Sequence, residues 1–394
     1  MALFDGKAVI SGIGQSDAGR KTGRSGMEHG IEGCLRAIAD AGLEPRDIDG
    51  VASYPGPIAG EAGFVGATTV DIHDALGLRT SWFMAGVEGA GQIGPVIEAC
   101  MAVSTGLANH VLCFRSVWES TAQMAVGRAA AITAYLKRAN THLEFRAPFG
   151  APSAVHWIAL YADRYMHDFG LTRDQLAQIA LNARRNAALN PRAVYKDPLT
   201  LDDYLASRMI SYPLCLFDCD VPADGCTAFI VSRRDATTGL PNPLLTVESV
   251  GTALYERHSW DQRSDLTTMG AHDAAQSMWE RTSFTPADVD VAELYDGFSY
   301  LTVQWIEAMG FCAHGKVGPF IEGGHRIALD GDLPINTHGG QLSSGRLHGF
   351  GFLHEACVQL RGEGGKRQLA RQPEIAAVGV GGGPVAGSML ISRR

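Results

Sequence analysis

The sequence has no long hydrophobic run, since nowhere do about 18 uncharged apolar residues follow one another, the length that a membrane helix needs. The first residues carry Asp5 and Lys7 inside a short apolar stretch and have no secretory core. No block of like charge is present, and 33 Lys and Arg against 42 Asp and Glu give a formal net charge of -9. These absences argue against membrane, secreted and nucleic-acid-binding proteins, and they predict a cytoplasmic location.

Cysteine is present without a recognisable spacing. The 8 cysteines are scattered, and several lie in apolar stretches where a free thiol behaves as a small hydrophobic group. This distribution is typical of a reducing compartment. Cys215, Cys219 and Cys226 together with His258 match no compact zinc-binding pattern. The sequence therefore predicts free thiols and no metal site.

The chain does contain an alternation of strand-like and helix-like segments. Its 394 residues, 46% of them hydrophobic, provide enough apolar material for a large core or two fused ones. Short apolar runs predict strands, and longer segments with helical spacing of apolar residues predict helices. The elements predicted for the first part are the strands Lys7–Ile13, Ile48–Tyr54, Thr80–Ala85 and His110–Arg115 and the helices Met27–Ala41 and Ile93–Leu107. This alternation predicts a layered α/β fold.

A mostly helical segment interrupts this rhythm. It carries a capping box at Thr172 and Gln175, and after it Cys226–Ser232 predicts a strand that completes the first sheet. The turn Gly239–Pro243 marks a boundary before a second α/β half that starts near Leu244. The predicted organisation is an N-terminal half at 1–116 and 211–238, a helical insertion at 117–210 and a C-terminal half at 244–394.

The two halves carry matching residues in the same order. Glu98, Ala99 and Cys100 recur as Glu355, Ala356 and Cys357, at an offset of 257 positions. A second set of matches has a constant offset of 241 positions and joins Pro45, Asp47, Asp49, Tyr54 and Gly56 to Pro286, Asp288, Asp290, Tyr295 and Gly297. Two ordered matches on the same kind of element predict an internal duplication.

Four further runs appear in a recognisable order, namely Asp224-Gly225-Cys226, Tyr295-Asp296-Gly297-Phe298, Asn336-Thr337-His338-Gly339-Gly340 and Gly381-Gly382-Gly383. With the duplication and the insertion, they make the chain resemble the thiolase superfamily over essentially its whole length. Within it, the chain resembles the sterol-carrier or lipid-transfer-type thiolase-like proteins. The resemblance implies a five-layered αβαβα fold, a homodimer and a site for an acyl-CoA thioester between the halves.

The resemblance also shows where the chain departs from active thiolases. The nucleophilic cysteine falls on Gly89, and the nearest thiol, Cys100, lies about 16 Å further along the helix. Tyr295 stands in place of the thiolase Asn or His, Arg346 in place of the Gly-His-Pro histidine, and Gly379 in place of the second cysteine. Claisen chemistry needs a thiolate to carry the acyl group, so the sequence predicts that no acyl-enzyme forms.

Thiolase-like proteins without these cysteines include the steroid side-chain aldolases, which act with a small OB-fold acyl-CoA-binding partner. The resemblance therefore implies a lyase that cleaves a bulky β-hydroxyacyl-CoA by retro-aldol reaction, with a steroid side-chain thioester as one candidate substrate. This reaction needs no cofactor besides the CoA of the substrate. Two alternatives stay open: a non-catalytic acyl-CoA or lipid carrier or scaffold subunit, and an acyltransferase without a cysteine nucleophile.

The candidate site residues follow from this chemistry. Tyr295 at a strand end and His348 before a helix are expected to share the acid/base work, with Arg346 lowering the pKa of the phenol. Arg184 and Arg185 are candidates for the CoA phosphates, with a solvent-exposed helix end as the alternative. The groups expected to bind substrate or stabilise the enolate are Gly89, Gly91, His338, Ser343, Ser344 and Arg346. For each of these side chains, a purely structural role is the alternative.

Overall fold

The computed structural model describes residues 3–54, 63–86, 91–126 and 146–393. The strands are β1 (Ala8–Gln15), β2 (Gly50–Ser53), β3 (Trp82–Ala85), β4 (His110–Trp118), β5 (Met209–Ser211), β6 (Leu214–Cys215), β7 (Asp224–Arg233), β8 (Leu245–Gly251), β9 (Val291–Leu294), β10 (Ile375–Gly382) and β11 (Val385–Ser392). The helices are α1 (Gly26–Asp40), α2 (Thr69–Leu76), α3 (Gly94–Thr105), α4 (Glu119–Val126), α5 (Ala154–Phe169), α6 (Arg173–Ala188), α7 (Leu201–Ala206), α8 (Gly270–Trp279), α9 (Ser299–Ala308), α10 (Val317–Ile321) and α11 (Phe350–Arg361). Within the described ranges, no helix combines the length and the hydropathy needed to cross a membrane.

The main sheet has the strand order β3-β2-β4-β7-β1-β8-β11-β10-β9. In the first half β2 is parallel to β4, β4 is antiparallel to β7, and β7 is antiparallel to β1. The second half repeats this pattern, with β9 parallel to β10, β10 antiparallel to β11, and β11 antiparallel to β8. The halves meet where β1 pairs with β8. The predicted duplication is therefore confirmed by strand order and direction.

Side-chain alternation along the central strands separates two cores. In β7, Ala228 and Ile230 pack in a cluster with residues of α1, whereas Phe229 and Val231 belong to the larger cluster that includes α3 and α11. Helix α1 covers the outer face of the first half, and α8 packs on β8 and β11 of the second. Helix α3 packs on β2, β4 and β7 of the first half, whereas α11 contacts β9 and β10 of the second half and also β7 and β1 of the first. The predicted thiolase-like α/β fold is therefore confirmed.

Element ends differ from the predicted ones by a few residues. Strand β7 begins at Asp224, two positions before the predicted Cys226, because its pairing with β4 continues to Trp118. Helix α3 ends at Gly106, which takes the left-handed conformation that terminates helices, with φ 81°. The chain between β4 and β7 carries α4, α5, α6, α7 and the hairpin β5–β6. The proposed domain boundaries stay a prediction.

Candidate active site

The candidate site lies where two strands end and one glycine-rich loop returns between them. Tyr295 follows β9 directly, Glu119 follows β4 directly, and the loop 336–349 leads into α11. In open α/β sheets, such ends are the usual place for a ligand because loops there are free to vary. The structure thus brings together residues that are about 50 to more than 200 positions apart in the sequence.

A buried carboxyl group holds the glycine loop in place. Asp296 Oδ1 accepts a hydrogen bond from the Gln341 backbone N at 2.7 Å. A Cβ atom at Gly340 would lie 1.8 Å from Asp296 Oδ2, so only glycine fits there. Burial raises the pKa of Asp296 to about 7, so this carboxyl is partly protonated at neutral pH. Asp296 is accordingly a positioning residue for the single turn of π-helix at Gly340–Ser344.

Arg346 joins two acidic side chains from distant parts of the chain. Its Nε and second terminal nitrogen donate to Glu119 Oε2 and Oε1 at 2.9 and 2.8 Å, a bidentate pair. The other terminal nitrogen donates to Asp220 Oδ1 at 3.3 Å. Burial alone would lower the pKa of Arg346, but the negative charges of Asp220 and Glu119 outweigh this effect and raise it. The guanidinium is therefore a fixed positive charge in the site.

Tyr295 contributes its phenol to this cluster. The side chain is 9% exposed and packs against Phe352, with ring centroids 5.8 Å apart. The segments of Tyr295 and Arg346 are joined through the loop 220–221, because Asp220 N donates to Gly297 O at 3.2 Å and Arg346 N donates to Val221 O at 2.7 Å. The interaction with Tyr295 contributes to the raised pKa of the Arg346 guanidinium. Gly297 makes room for the ring, because a Cβ there would lie 2.7 Å from Tyr295 Cε1. The proximity of Tyr295 and Arg346 is the one that the sequence led us to expect.

His348 lies on the other side of Glu119. Its Nε2 is 3.6 Å from Glu119 Oε2, beyond hydrogen-bond length, and neither ring nitrogen has a partner in the described part of the chain. The ring packs edge-on against Phe64 at 4.4 Å between centroids. Burial lowers the pKa of His348 to about 4, so its imidazole is neutral at pH 7. A buried, neutral imidazole whose nitrogens make no hydrogen bond within the described ranges is suited to hydrogen-bond a ligand.

The remaining loop residues face a different direction. His338 Nδ1 is 3.2 Å from Glu293 Oε2, and the hydrogen bond to Glu293 raises the pKa of His338 against the opposing effect of burial. Ser343 Oγ accepts from Arg184 Nε at 3.0 Å, and Ser344 Oγ accepts from Asn190 at 3.3 Å. His338 and Ser344 line a cavity of about 440 Å³, whose described walls include neither Tyr295 nor His348. The structure therefore divides the predicted site residues into two groups.

The positions of the thiolase cysteines contain no thiol. Gly89 lies outside the described residues. Gly91 approaches the hairpin β10–β11 closely, since a Cβ there would lie 2.8 Å from Val380 O. Gly379 lies against the indole of Trp305, and a Cβ would come within 2.5 Å of Cε3. Trp305 thus fills the space that a side chain at the second cysteine position would need.

The two arginines considered for CoA phosphates both make bonds within the chain. Arg184 is buried between the rings of Tyr195 and Phe217, and it donates to Asp197 O as well as to Ser343. Arg185 donates to Gly324 O at 3.3 Å and supports that turn. Arg184 also lines a second, open cavity of about 450 Å³ together with Arg208. The structure places Arg184 beside the loop of the site and Arg185 away from it.

Sequence reasoning missed three charged residues of the site: Arg115, Glu119 and Asp220. Arg115 is a fully buried arginine on β4, with its guanidinium 4.8 Å from the ring centroid of Phe64. A charged residue inside an otherwise apolar strand could have indicated a functional role for Arg115. Glu119 gave no such signal, because it stands at the start of the segment interpreted as an insertion. Asp220 lies in a connecting loop, and its pairing with Arg346 becomes visible only in the folded chain.

This architecture defines a thiolase-fold protein that has no cysteine at either thiolase position. Comparison with known proteins agrees, since residues 252–392 match the family model described as thiolase C-terminal domain-like. Among solved structures, an Ltp2-ChsH2(DUF35) aldolase is similar with a TM-score of 0.86 and 32% identity, covering 98% of each chain. A monomeric SCP2-thiolase-like protein of Mycobacterium smegmatis has a TM-score of 0.71 at 18% identity, covering 99% of this chain and 78% of that one, and supports the fold alone.

Two curated relatives are similar over most of their length. A steroid side-chain-cleaving aldolase of Thermomonospora curvata is 35% identical over 92% of both chains. A 17-hydroxy-3-oxo-4-pregnene-20-carboxyl-CoA lyase of Mycobacterium tuberculosis is 32% identical over 91% of this chain and 93% of its own length. The chain therefore belongs to the thiolase superfamily and, within it, to the family of these side-chain aldolases.

Proposed function

We propose that this chain is a carbon–carbon lyase that cleaves a bulky β-hydroxyacyl-CoA by retro-aldol reaction, a steroid side-chain thioester being the candidate substrate. The observation that carries the proposal is that Arg346 and His348 both face Glu119, at 2.9 and 3.6 Å from its Oε2, while the Tyr295 phenol interacts electrostatically with Arg346. The names of the two curated relatives support the reaction class. Trp305 beside Gly379 supports a reaction that dispenses with the second cysteine.

In the proposed mechanism, Tyr295 acts as the phenolate that Arg346 stabilises and takes the proton of the β-hydroxyl. The O–H electron pair forms the new carbonyl, the Cα–Cβ bond breaks, and its electrons pass into the thioester enolate. His348 donates a hydrogen bond to the enolate oxygen as a neutral imidazole. Return of the proton from Tyr295 to Cα gives the shortened acyl-CoA and regenerates the phenolate. The proposed reaction needs no oxidant, metal or other cofactor.

No covalent acyl-enzyme is expected during this reaction. Cys219 is the thiol to test, because it precedes Asp220, the partner of Arg346 in the site. Its Sγ donates to Cys215 O at 3.5 Å. After incubation with acetyl-CoA or a longer thioester, the intact mass of the protein should be unchanged. Cys219→Ser serves as the control, because an adduct that disappears in this variant would identify the nucleophile. Such an adduct would favour the acyltransferase alternative over the lyase.

We propose further that full activity requires a small OB-fold, acyl-CoA-binding partner. The support is the similar solved structure, an Ltp2-ChsH2(DUF35) aldolase, whose name joins two proteins. Turnover of a panel of β-hydroxyacyl-CoAs should be measured by mass spectrometry, with and without proteins encoded beside this gene. We expect ketone and shortened acyl-CoA in the presence of the partner. Tight acyl-CoA binding without products under either condition would instead support a carrier or scaffold.

A homodimer is also part of the proposal. Strand β3 is the outer strand of the first half, and Phe83 on it is 63% exposed, so an apolar sheet edge remains uncovered in one chain. Light scattering at micromolar concentration should give about twice the 42.0 kDa of one chain. Phe83→Lys should shift this mass toward the monomer, whereas Phe149→Lys, at another exposed phenylalanine, should not. A wild-type monomer would contradict this part of the proposal.

We propose that the CoA phosphates bind at the 450 Å³ cavity, where Arg184 and Arg208 would offer two guanidinium groups.

A cytoplasmic location is also proposed. All eight cysteines are free, which supports a cytoplasmic, reducing environment.

A further inference from the structure

A cluster of two histidines and one glutamate lies outside the candidate active site. His272 is in the first turn of α8, Glu307 is in the last turn of α9, and His314 is in the loop that follows α9. One ligand atom of each residue lies within 4.8 Å of those of the other two. Ser299, the first residue of α9, lies close to Tyr295 in the chain. Since a helix rises about 1.5 Å per residue, Glu307 lies about 12 Å further along the axis of α9 and away from the active site.

Two donors orient Glu307 through one carboxylate oxygen and leave the other oxygen facing His314. The side chain is 1% exposed, and its Oε1 accepts hydrogen bonds from the Tyr165 hydroxyl and from the Gly315 backbone N at 2.7 Å. Its Oε2 points away from both donors and lies 2.9 Å from His314 Nδ1. Fixing one carboxylate oxygen so that the other points outward is the usual outer-shell arrangement of a metal ligand.

His314 is oriented in a similar way by its other nitrogen. The Thr267 hydroxyl donates to Asp265 Oδ1 at 2.6 Å, so Thr267 Oγ1 is an acceptor for His314 Nε2–H at 3.1 Å. With a hydrogen on Nε2, the Nδ1 lone pair of a neutral ring faces the Glu307 carboxylate. Two acceptors at 2.9 Å must share a proton between them. A divalent cation could replace that proton.

The third group, His272, has a buried nitrogen without a partner. Its Nε2 makes no hydrogen bond in the described part of the chain, while Nδ1 accepts a long hydrogen bond from Met269 N at 3.3 Å. The two rings and the carboxylate thus present ligand atoms to one common point. Coordination through Nε2 would move the ring proton to Nδ1 and break the long contact with Met269.

We propose that His272 Nε2, Glu307 Oε2 and His314 Nδ1 bind one divalent transition-metal ion, with Zn²⁺ as the best match. Two imidazoles and one carboxylate form a ligand set that suits Zn²⁺ and not the oxygen-seeking Mg²⁺ or Ca²⁺. Tyr165 and the Phe169 ring, 4.8 Å from the His314 ring, belong to α5. The ion would therefore join α8 to α9 and the loop that follows α9, and α5 would pack against its ligands.

The test uses the full chain without a histidine tag, first treated with EDTA and then titrated with ZnCl₂ in a calorimeter. We expect one ion per chain, a higher melting temperature with Zn²⁺, and the visible absorption of four-coordinate Co²⁺ when cobalt is used instead. Because even outer-shell changes weaken metal sites by about 10–100-fold, His272→Gln and His314→Gln should each weaken binding by at least about a hundredfold. His325→Gln, at an exposed histidine elsewhere, is the matched control and should bind as the wild type does.

The dependence on the outer groups provides a second measurement. Thr267→Val removes the acceptor of His314 Nε2–H without removing a ligand, so we expect affinity to fall by about 10–100-fold with stoichiometry unchanged. Absence of binding by the wild type, or equal binding by His314→Gln and His325→Gln, would overturn the proposal. His314 is 43% exposed, so its variant should fold even where His272→Gln does not.

Discussion

Replacing Tyr295 by phenylalanine should lower turnover of the β-hydroxyacyl-CoA by at least about a hundredfold, since proton transfer by a positioned side chain is worth about 10²–10⁴ in rate. The substitution removes one oxygen and leaves the ring in contact with Phe352. Melting temperature and acyl-CoA affinity should therefore remain nearly those of the wild type. Steady-state turnover, thermal unfolding and calorimetric binding measured on one preparation would separate chemistry from packing.

Tyr300→Phe is the matched control for this experiment. Tyr300 is fully buried, and its hydroxyl accepts a hydrogen bond from Gln304 at 2.7 Å, so its loss should cost about 1 kcal/mol of stability. Activity per folded molecule should be kept. If Tyr295→Phe behaves as Tyr300→Phe does, with lower stability and full activity, the phenol is structural. The reaction class would then stand, but Tyr295 would not be the proton-transferring residue.

His348→Asn belongs to the same experiment. The backbone of His348 has φ 49°, a left-handed conformation that asparagine adopts more readily than alanine, so this variant removes the imidazole with little backbone strain. If the imidazole donates to the enolate oxygen, turnover should fall by about 10²–10³-fold with acyl-CoA affinity kept. A fall in affinity without a change in turnover would place His348 in binding alone.

The sequence predicted the large features of the fold because they repeat or alternate locally. The offset of 241 positions between Tyr54 and Tyr295 indicated a duplication, and the repeated strand order confirms it. The proximity of Tyr295 and Arg346 could be expected because both stand at positions with catalytic counterparts in thiolases. The partner of Arg346 could not be expected, since Glu119 is 227 residues away and its pairing depends on how the two halves pack.

The sequence also could not predict which groups the side chains of the glycine-rich loop 336–349 contact. A run of glycines and serines predicts that backbone and hydroxyl groups approach something closely, but it does not indicate which side they face. In the structure, Arg184 and Asn190 make hydrogen bonds with the hydroxyls of Ser343 and Ser344, because the segment between β4 and β7 packs on that side of the loop. A further function of those serines toward substrate stays a prediction.

Replacing Arg346 by methionine should destabilise the protein by about 3–5 kcal/mol, the cost typical of leaving buried carboxylates unpaired. Burial alone would raise the pKa of Glu119, but the charge of Arg346, with smaller effects of His348 and Arg115, lowers it to about 2. A lowered pKa means that Glu119 contributes stability above its unfolded value of 4.5, and that this contribution is lost as pH falls toward 2. Without Arg346, the carboxyl should titrate at higher pH.

The stability gap between wild type and Arg346→Met should therefore widen as pH rises and level off above the carboxyl pKa of the variant. Urea unfolding at several pH values between about 4 and 8 would measure it. The double variant Arg346→Met with Glu119→Gln removes the unpaired charge of Glu119 while Asp220 remains, so it should be more stable than the single variant at pH 8. If the double variant is no more stable, or if the gap is independent of pH, the penalty arises from lost packing of the arginine side chain. Arg346 would then act in the site through its shape and not through its charge.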